Sequence, residues 1–220
     1  MKQASENRAT ALSALRVNWT PAIIVSLVIC AICAAFNVPI QIVSNFATGV
    51  GAVAVLPLQL AYIIVLMPIV FALEIMFLNF LRGEDNALEV GNLFNKFGSY
   101  IGVSLLRYLY TVLWTFLLII PGIIKSYSYA MTPYIVKDNP GISADAAIEA
   151  SRAMMKGHKF DLFYLHLTFL GWGILCLFTC GIGFLWLSPY ILTAQADFYQ
   201  SLLEESAVSS TTTSSTEAKF

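Results

Sequence analysis

The stretch IIPGIIKSYSYAMTPYIV, Ile119 to Val136, decides how the chain is threaded. A long apolar run reaches Pro121-Gly122, a single Lys125 follows, and then three tyrosines, two serines and a second proline precede charged sequence. It reads either as a loop outside a membrane or as a helix going back in. The choice between the two rests on the rest of the chain.

Hydrophobic residues make up 58% of the 220 and charged residues 11%. A soluble domain carries roughly 25% charged residues, so too few are present to cover a water-facing surface and most of the exterior must face lipid. A net charge of -1 with no basic cluster argues against a nucleic-acid partner. The predicted fold class is therefore all-α, a polytopic membrane helix bundle.

A spanning helix needs about 20 apolar residues. Segments of that kind fall at residues 20–37, 56–81, 100–120 and 160–180. Two further segments, 123–137 and 183–203, are expected to enter the membrane as well. The polar lead, residues 1–18, is too long and lacks a small-residue cleavage site for a signal peptide, so the first apolar segment reads as a retained anchor. Residues 19–205 form one integral membrane domain, and the Ser/Thr-rich tail 206–220 is predicted to be disordered.

Charge selects the topology. With four spans and a cytoplasmic N-terminus, Lys125, Lys137, Arg152, Lys156 and Lys159 lie outside and Lys2, Arg8, Arg16, Arg82, Lys96 and Lys219 inside, which leaves no positive-inside bias. If Ile123 to Val136 re-enters, every Lys and Arg except Lys125 and Arg107 becomes cytoplasmic. Lys125 is then external, and both termini are cytoplasmic. The re-entering segment is short, since fifteen residues rise only about 22 Å.

A repeat supports the same threading. TPYIV at Thr132–Val136 recurs as SPYIL at Ser188–Leu192, 19 and 17 residues being the separations from Trp114 to Pro133 and from Trp172 to Pro189. Two related hairpins follow, turning at Pro121-Gly122 and at Cys180-Gly181, with Pro133 and Pro189 facing the bundle interior, where freed carbonyls find cover.

Between the last pairs of segments lies a polar helix, residues 143–156. Ser143 is its N-cap, Asp145 and Glu149 stand early, Arg152 and Lys156 late, and Gly157 ends it. Ile142, Ala146, Ala150 and Met154 give it an apolar stripe, as in an amphipathic helix on the cytoplasmic surface or capping the bundle.

Ionisable groups inside the membrane are costly and mark candidate sites. Glu74, Arg107 and Asp197 lie seven or eight residues from the cytoplasmic ends of their segments, a common depth of about 10 to 12 Å. Glu74 and Arg107 can pair, and His166 enters slightly shallower. This level reads as a polar pathway or as an ion pair that fixes helix register. Cys30-x-x-Cys33 lies in an apolar run, where thiolates for a metal are disfavoured, so Cys30, Cys33, Cys176 and Cys180 read as packing residues. His158, Lys159 and Asp161 read as an anchor at the membrane boundary. No phosphate loop, nucleophile elbow or zinc spacing is present, and no cofactor is expected.

The strings LLIIPGIIKSYSYAMTPYIVKDNP, SRAMMKGHK and FLGWGILCLFTCGIGFLWLSPY resemble the domain-of-unknown-function family 975 of bacterial integral membrane proteins. The resemblance extends from the first apolar segment to about Tyr199. It implies a bacterial cytoplasmic membrane location and supplies no catalytic residues. Two functions are consistent with all of this. One is a non-enzymatic membrane component acting through lipids or a membrane-protein partner, in envelope homeostasis or beside a transport system. The other is a transporter or permease for a small solute or for protons, with an unknown substrate.

Overall fold

The structure, a computed structural model, describes residues 4–46, 50–84, 97–179 and 181–217. These residues form eight helices and no strand: α1 (Ala4–Phe46), α2 (Val50–Arg82), α3 (Phe97–Leu117), α4 (Ile119–Ser128), α5 (Thr132–Asp138), α6 (Ala144–Met154), α7 (Lys159–Phe178) and α8 (Phe184–Glu217). Among the described residues four helical stretches are long and apolar enough to cross a membrane: Trp19–Ile42, Pro57–Arg82, Tyr100–Leu117 and Lys159–Phe178. They coincide with four of the six expected segments.

The other two take different forms. Residues 123–137 are not one helix: α4 ends at Ser128, the backbone breaks over Tyr129–Met131, and α5 begins at Thr132. Segment 183–203 falls in α8 from Phe184 onward, and its residues Thr193 to Tyr199 are all buried and include Gln195 and Asp197. Composition predicts disorder from residue 206, whereas α8 continues to Glu217, with Glu204 to Ala207 exposed.

The opening stretch turns back, but not where its Pro-Gly pair indicates. Leu118 is the reversing residue, with extended backbone at φ −158° and ψ 133°. Its N–H still donates to the Trp114 carbonyl at 3.1 Å, and its carbonyl accepts from the Gly122 N–H at 3.1 Å. Pro121 falls in the first turn of α4, where a missing N–H costs nothing. Gly122 serves contact rather than turning. A Cβ there would lie 2.5 Å from the Thr115 Cα, so only glycine lets α4 return this tightly along α3. At the second hairpin Gly181 has φ +85°, as the expected turn requires, while Cys180 lies outside the described residues. There Gly183 repeats the close approach, a Cβ falling 2.6 Å from the Cys176 Sγ.

The returning chain reaches the end of α2. Arg82 at the C-terminus of α2 holds Asp138 at the end of α5 through two hydrogen bonds of 2.5 and 2.8 Å, and Lys137 pairs with Glu84 at 2.8 Å. Lys125 lies over the Trp114 ring at 4.5 Å and within electrostatic range of Arg152 and Lys159.

Ser143 caps α6 as the sequence predicts, accepting from the Ala146 N–H at 3.3 Å. The other end differs: the helix stops at Met154 with Met155 as its C-cap, two residues short of the expected Lys156, and Gly157, at φ +97°, lies in the turn beyond. The fully buried face is centred beside the expected stripe, on Ala147, Ile148 and Ser151 with Met155 just beyond; of the stripe itself Ile142, Ala150 and Met154 pack half-buried against the same core and Ala146 is exposed. The helix is rotated because it packs against α3 and the α4–α5 break, contacts that no local pattern encodes. Above it, the main core joins Phe71 and Leu78 of α2, Met131 and Tyr134, Leu162 of α7 and Phe198 of α8. Tyr134 and Tyr199 stack at its centre, ring centroids 5.1 Å apart.

Candidate functional site

In lipid, apolar contact between helices gains little over contact with acyl chains, so polar links carry more of the specificity. The helix break at Tyr129–Met131 shows how they are used. Breaking a helix frees backbone groups that hydrocarbon cannot satisfy. The Ser151 hydroxyl of α6 donates to the Ser128 carbonyl at 2.9 Å and accepts from the Met131 N–H at 3.2 Å. The Tyr129 carbonyl accepts from the Thr132 hydroxyl at 2.8 Å, and the Gln195 amide of α8 reaches the Ala130 carbonyl at 3.5 Å. Ser151 is fully buried. Pro133 opens α5 at its second residue and is buried, as is Pro189 inside α8.

The structure brings Glu74 and Arg107 together. The guanidinium donates to both carboxylate oxygens at 3.1 and 3.3 Å, with the Glu74 side chain 9% exposed and that of Arg107 26%. Tyr134 lies within electrostatic range of both. His166 stands apart, its ring 5.7 Å from Tyr127 and its side chain hydrogen-bonded to Gln195. Asp197 is buried on α8, 2% exposed. A cavity of about 400 Å³ opens between α2, α3 and α4, with Arg107, Ser104, Thr111 and Ser126 among otherwise mainly apolar walls.

Sequence reasoning missed a second polar cluster, made by α2, α5 and α8. Asp138 accepts from Arg82 and from the Tyr199 hydroxyl at 2.8 Å. Burial alone would raise the Asp138 carboxyl. The hydrogen bonds from Arg82 and Tyr199, with the charges of Arg82 and Lys137, outweigh it and hold the carboxyl below its usual range. A signal existed only in hindsight: Arg82 ends an apolar helix and Asp138 ends the re-entering segment. His158 and Asp161 contact each other at 3.4 Å at the start of α7. Cys30 is exposed, Cys33 half-buried and Cys176 buried, all as free thiols.

The model of a family of proteins of unknown function, DUF975, matches residues 54–206. The chain belongs to the DUF975 family. The match begins in α2 and ends in α8, so it omits α1, which the sequence resemblance had included. Both hairpins and both polar clusters of this DUF975 chain fall inside the matched residues. No curated protein and no solved structure matches the chain.

Proposed function

We propose that the chain is a non-enzymatic component of the bacterial cytoplasmic membrane that acts through lipids or a membrane-protein partner, in envelope homeostasis or as an accessory to a transport system. Six apolar segments enter the bilayer as three hairpins, α1–α2, α3–α4 and α7–α8, with both termini and α6 on the cytoplasmic side. The placement of Lys125 beside Arg152 and Lys159 supports this sidedness, because it gathers the positive charge further onto one face.

The observation that carries the reading is the closure of the Glu74–Arg107 pair. Each carboxylate oxygen takes one guanidinium bond, which suits a register pin better than a group that must load and release an ion. The alternative, a transporter for a small solute or for protons, is favoured by one feature, the cavity beside Arg107. Proteoliposome flux separates the two. The component reading expects proton and solute flux no greater than in empty vesicles, with a specific partner or lipid retained after purification in native membrane discs. Solute or proton flux that is abolished by Glu74→Gln would establish the transporter instead.

A further inference from the structure

A second cavity of about 400 Å³ lies where α1 meets the α7–α8 hairpin. Trp19, Trp172 and Trp186, three of the chain's four tryptophans, line it together with Leu12, Cys176 and Leu187. Among the described residues of its walls Arg8 alone is charged, and it stands at the Tyr190 end. From Tyr190 the groove runs along α8 to Gly183 in the turn, a rise of about 10 Å.

Arg8 is held in place without being neutralised. Its Nε donates to the Tyr190 hydroxyl at 3.4 Å, and its guanidinium carbon lies 5.6 Å from the centre of the Phe169 ring. Tyr190 is fixed in turn, edge-on to Phe169 with ring centroids 4.9 Å apart. A guanidinium carries five N–H donors in a planar fork, and its strong bonds are those to carboxylate or phosphate. Arg82 and Arg107 use the fork in that way, on Asp138 and on Glu74. Among the described residues Arg8 meets no carboxylate, and its two Nη atoms donate to no acceptor.

Tyr190 stands nine residues before Tyr199, which meets Asp138 beside Arg82, a separation of about 13 Å along α8. The Arg8 site therefore lies inward of the charged ends of α2 and α5. An uncompensated charge there is costly, and lipid deforms locally to bring polar groups to it. Resting on the membrane reading above, we infer that the groove binds one anionic phospholipid from the leaflet on the side of Arg82. Its phosphodiester sits on the Arg8 fork, and an acyl chain lies along the tryptophan-lined channel toward Gly183. Both halves of the site require their part of such a ligand. A free phosphate leaves the apolar length unused, and a headgroup of no net charge leaves the cation uncompensated. The dimensions and lining fit, since amphiphile and small-molecule pockets of about 300–1,000 Å³ are mostly apolar with a few placed polar groups. Tryptophan suits the walls, because its ring packs on a chain while its N–H can donate to an ester carbonyl.

The test uses the purified full chain in detergent, stripped of lipid and then offered equal amounts of dioleoyl phosphatidylglycerol and dioleoyl phosphatidylcholine. Native mass spectrometry counts the lipids retained. The wild type should keep one phosphatidylglycerol with a preference of about fivefold or more, the worth of one basic residue against an anionic lipid. Arg8→Gln should abolish that preference, and Arg8→Lys should keep part of it, since the charge remains and the fork is lost. Leu12→Trp, which narrows the groove and leaves the cation, should lower retention of the lipid; with Arg8→Lys it carries the test if Arg8→Gln does not fold. Glycerophosphate, a headgroup without chains, should not compete, and full competition by it would replace the lipid with a free phosphate. Equal retention of the two lipids, or an undiminished preference in Arg8→Gln, would overturn the inference while leaving the chain a membrane protein. Release of the whole protein from native membranes by alkaline carbonate would instead defeat the membrane reading itself.

Discussion

Ser151 shows how much one hydroxyl can do at the residue scale. It bridges the Ser128 carbonyl and the Met131 N–H, both stranded by the helix break. Ser151→Ala leaves both unpaired and is expected to cost about 1–3 kcal/mol, read as a lower unfolding midpoint in mild detergent. No change in midpoint would mean that the break needs no seal. Asp138 makes a pH prediction. Its folded carboxyl is held below the ordinary carboxylate value, so its contribution is present above the unfolded value of about 3.9 and is lost as pH falls through the lower folded one. The unfolding midpoint should therefore drop on acidification below about pH 4, and Asp138→Asn should lower it at neutral pH and flatten that acid slope. An unaltered slope would remove Asp138 from the account. Neither residue was legible in the sequence. Ser151 stands among charged neighbours in SRAMMK, and Asp138 reads as turn chemistry in KDNPG. Each acquires its role from helices distant along the chain.

At the scale of elements, local signals were legible and tertiary ones were not. Ser143 announces the start of α6 because capping is a matter of neighbouring residues, whereas its end falls at Met154, short of the Gly157 signal. The face that α6 buries depends on α3 and the helix break, and the periodic stripe pointed about one residue away from it. The reversal at Leu118 could not be read, since that residue resembles every other in LWTFLLII. Pro121-Gly122 advertised a turn but performs two other tasks, opening α4 and admitting Thr115. The hairpins should respond unequally to alanine. At Gly122 the added Cβ meets Thr115 backbone at 2.5 Å, whereas at Gly183 the nearest atom is the Cys176 Sγ at 2.6 Å. Gly122→Ala should therefore lower folded yield and unfolding midpoint more than Gly183→Ala, and adding Cys176→Ala should restore much of the latter alone. Equal losses, or no rescue, would contradict the close-approach explanation.

Across the whole molecule, the Glu74–Arg107 pair sets the register of α2 against α3. It was legible because depth along a helix can be counted from its end, and because antiparallel neighbours bring equal depths together. The cluster of Arg82, Asp138 and Tyr199 was not, since it joins three helices whose order in space the sequence does not state. Glu74→Gln leaves a largely buried guanidinium uncompensated and should cost about 3–5 kcal/mol, whereas Glu74→Met with Arg107→Met should cost far less. Equal losses would mean that the pair does more than fix register. The account as a whole depends on the path of Ile119–Val136, which leaves α3 at Leu118 and returns to the level of Arg82. Labelling with a membrane-impermeant maleimide tests it most directly, using Lys125→Cys and Arg152→Cys in a chain without its native cysteines. Both positions should react from the cytoplasmic side of oriented vesicles and neither from the other; reaction of the two from opposite sides would contradict the fold-back and restore the crossing that the charge pattern first implied.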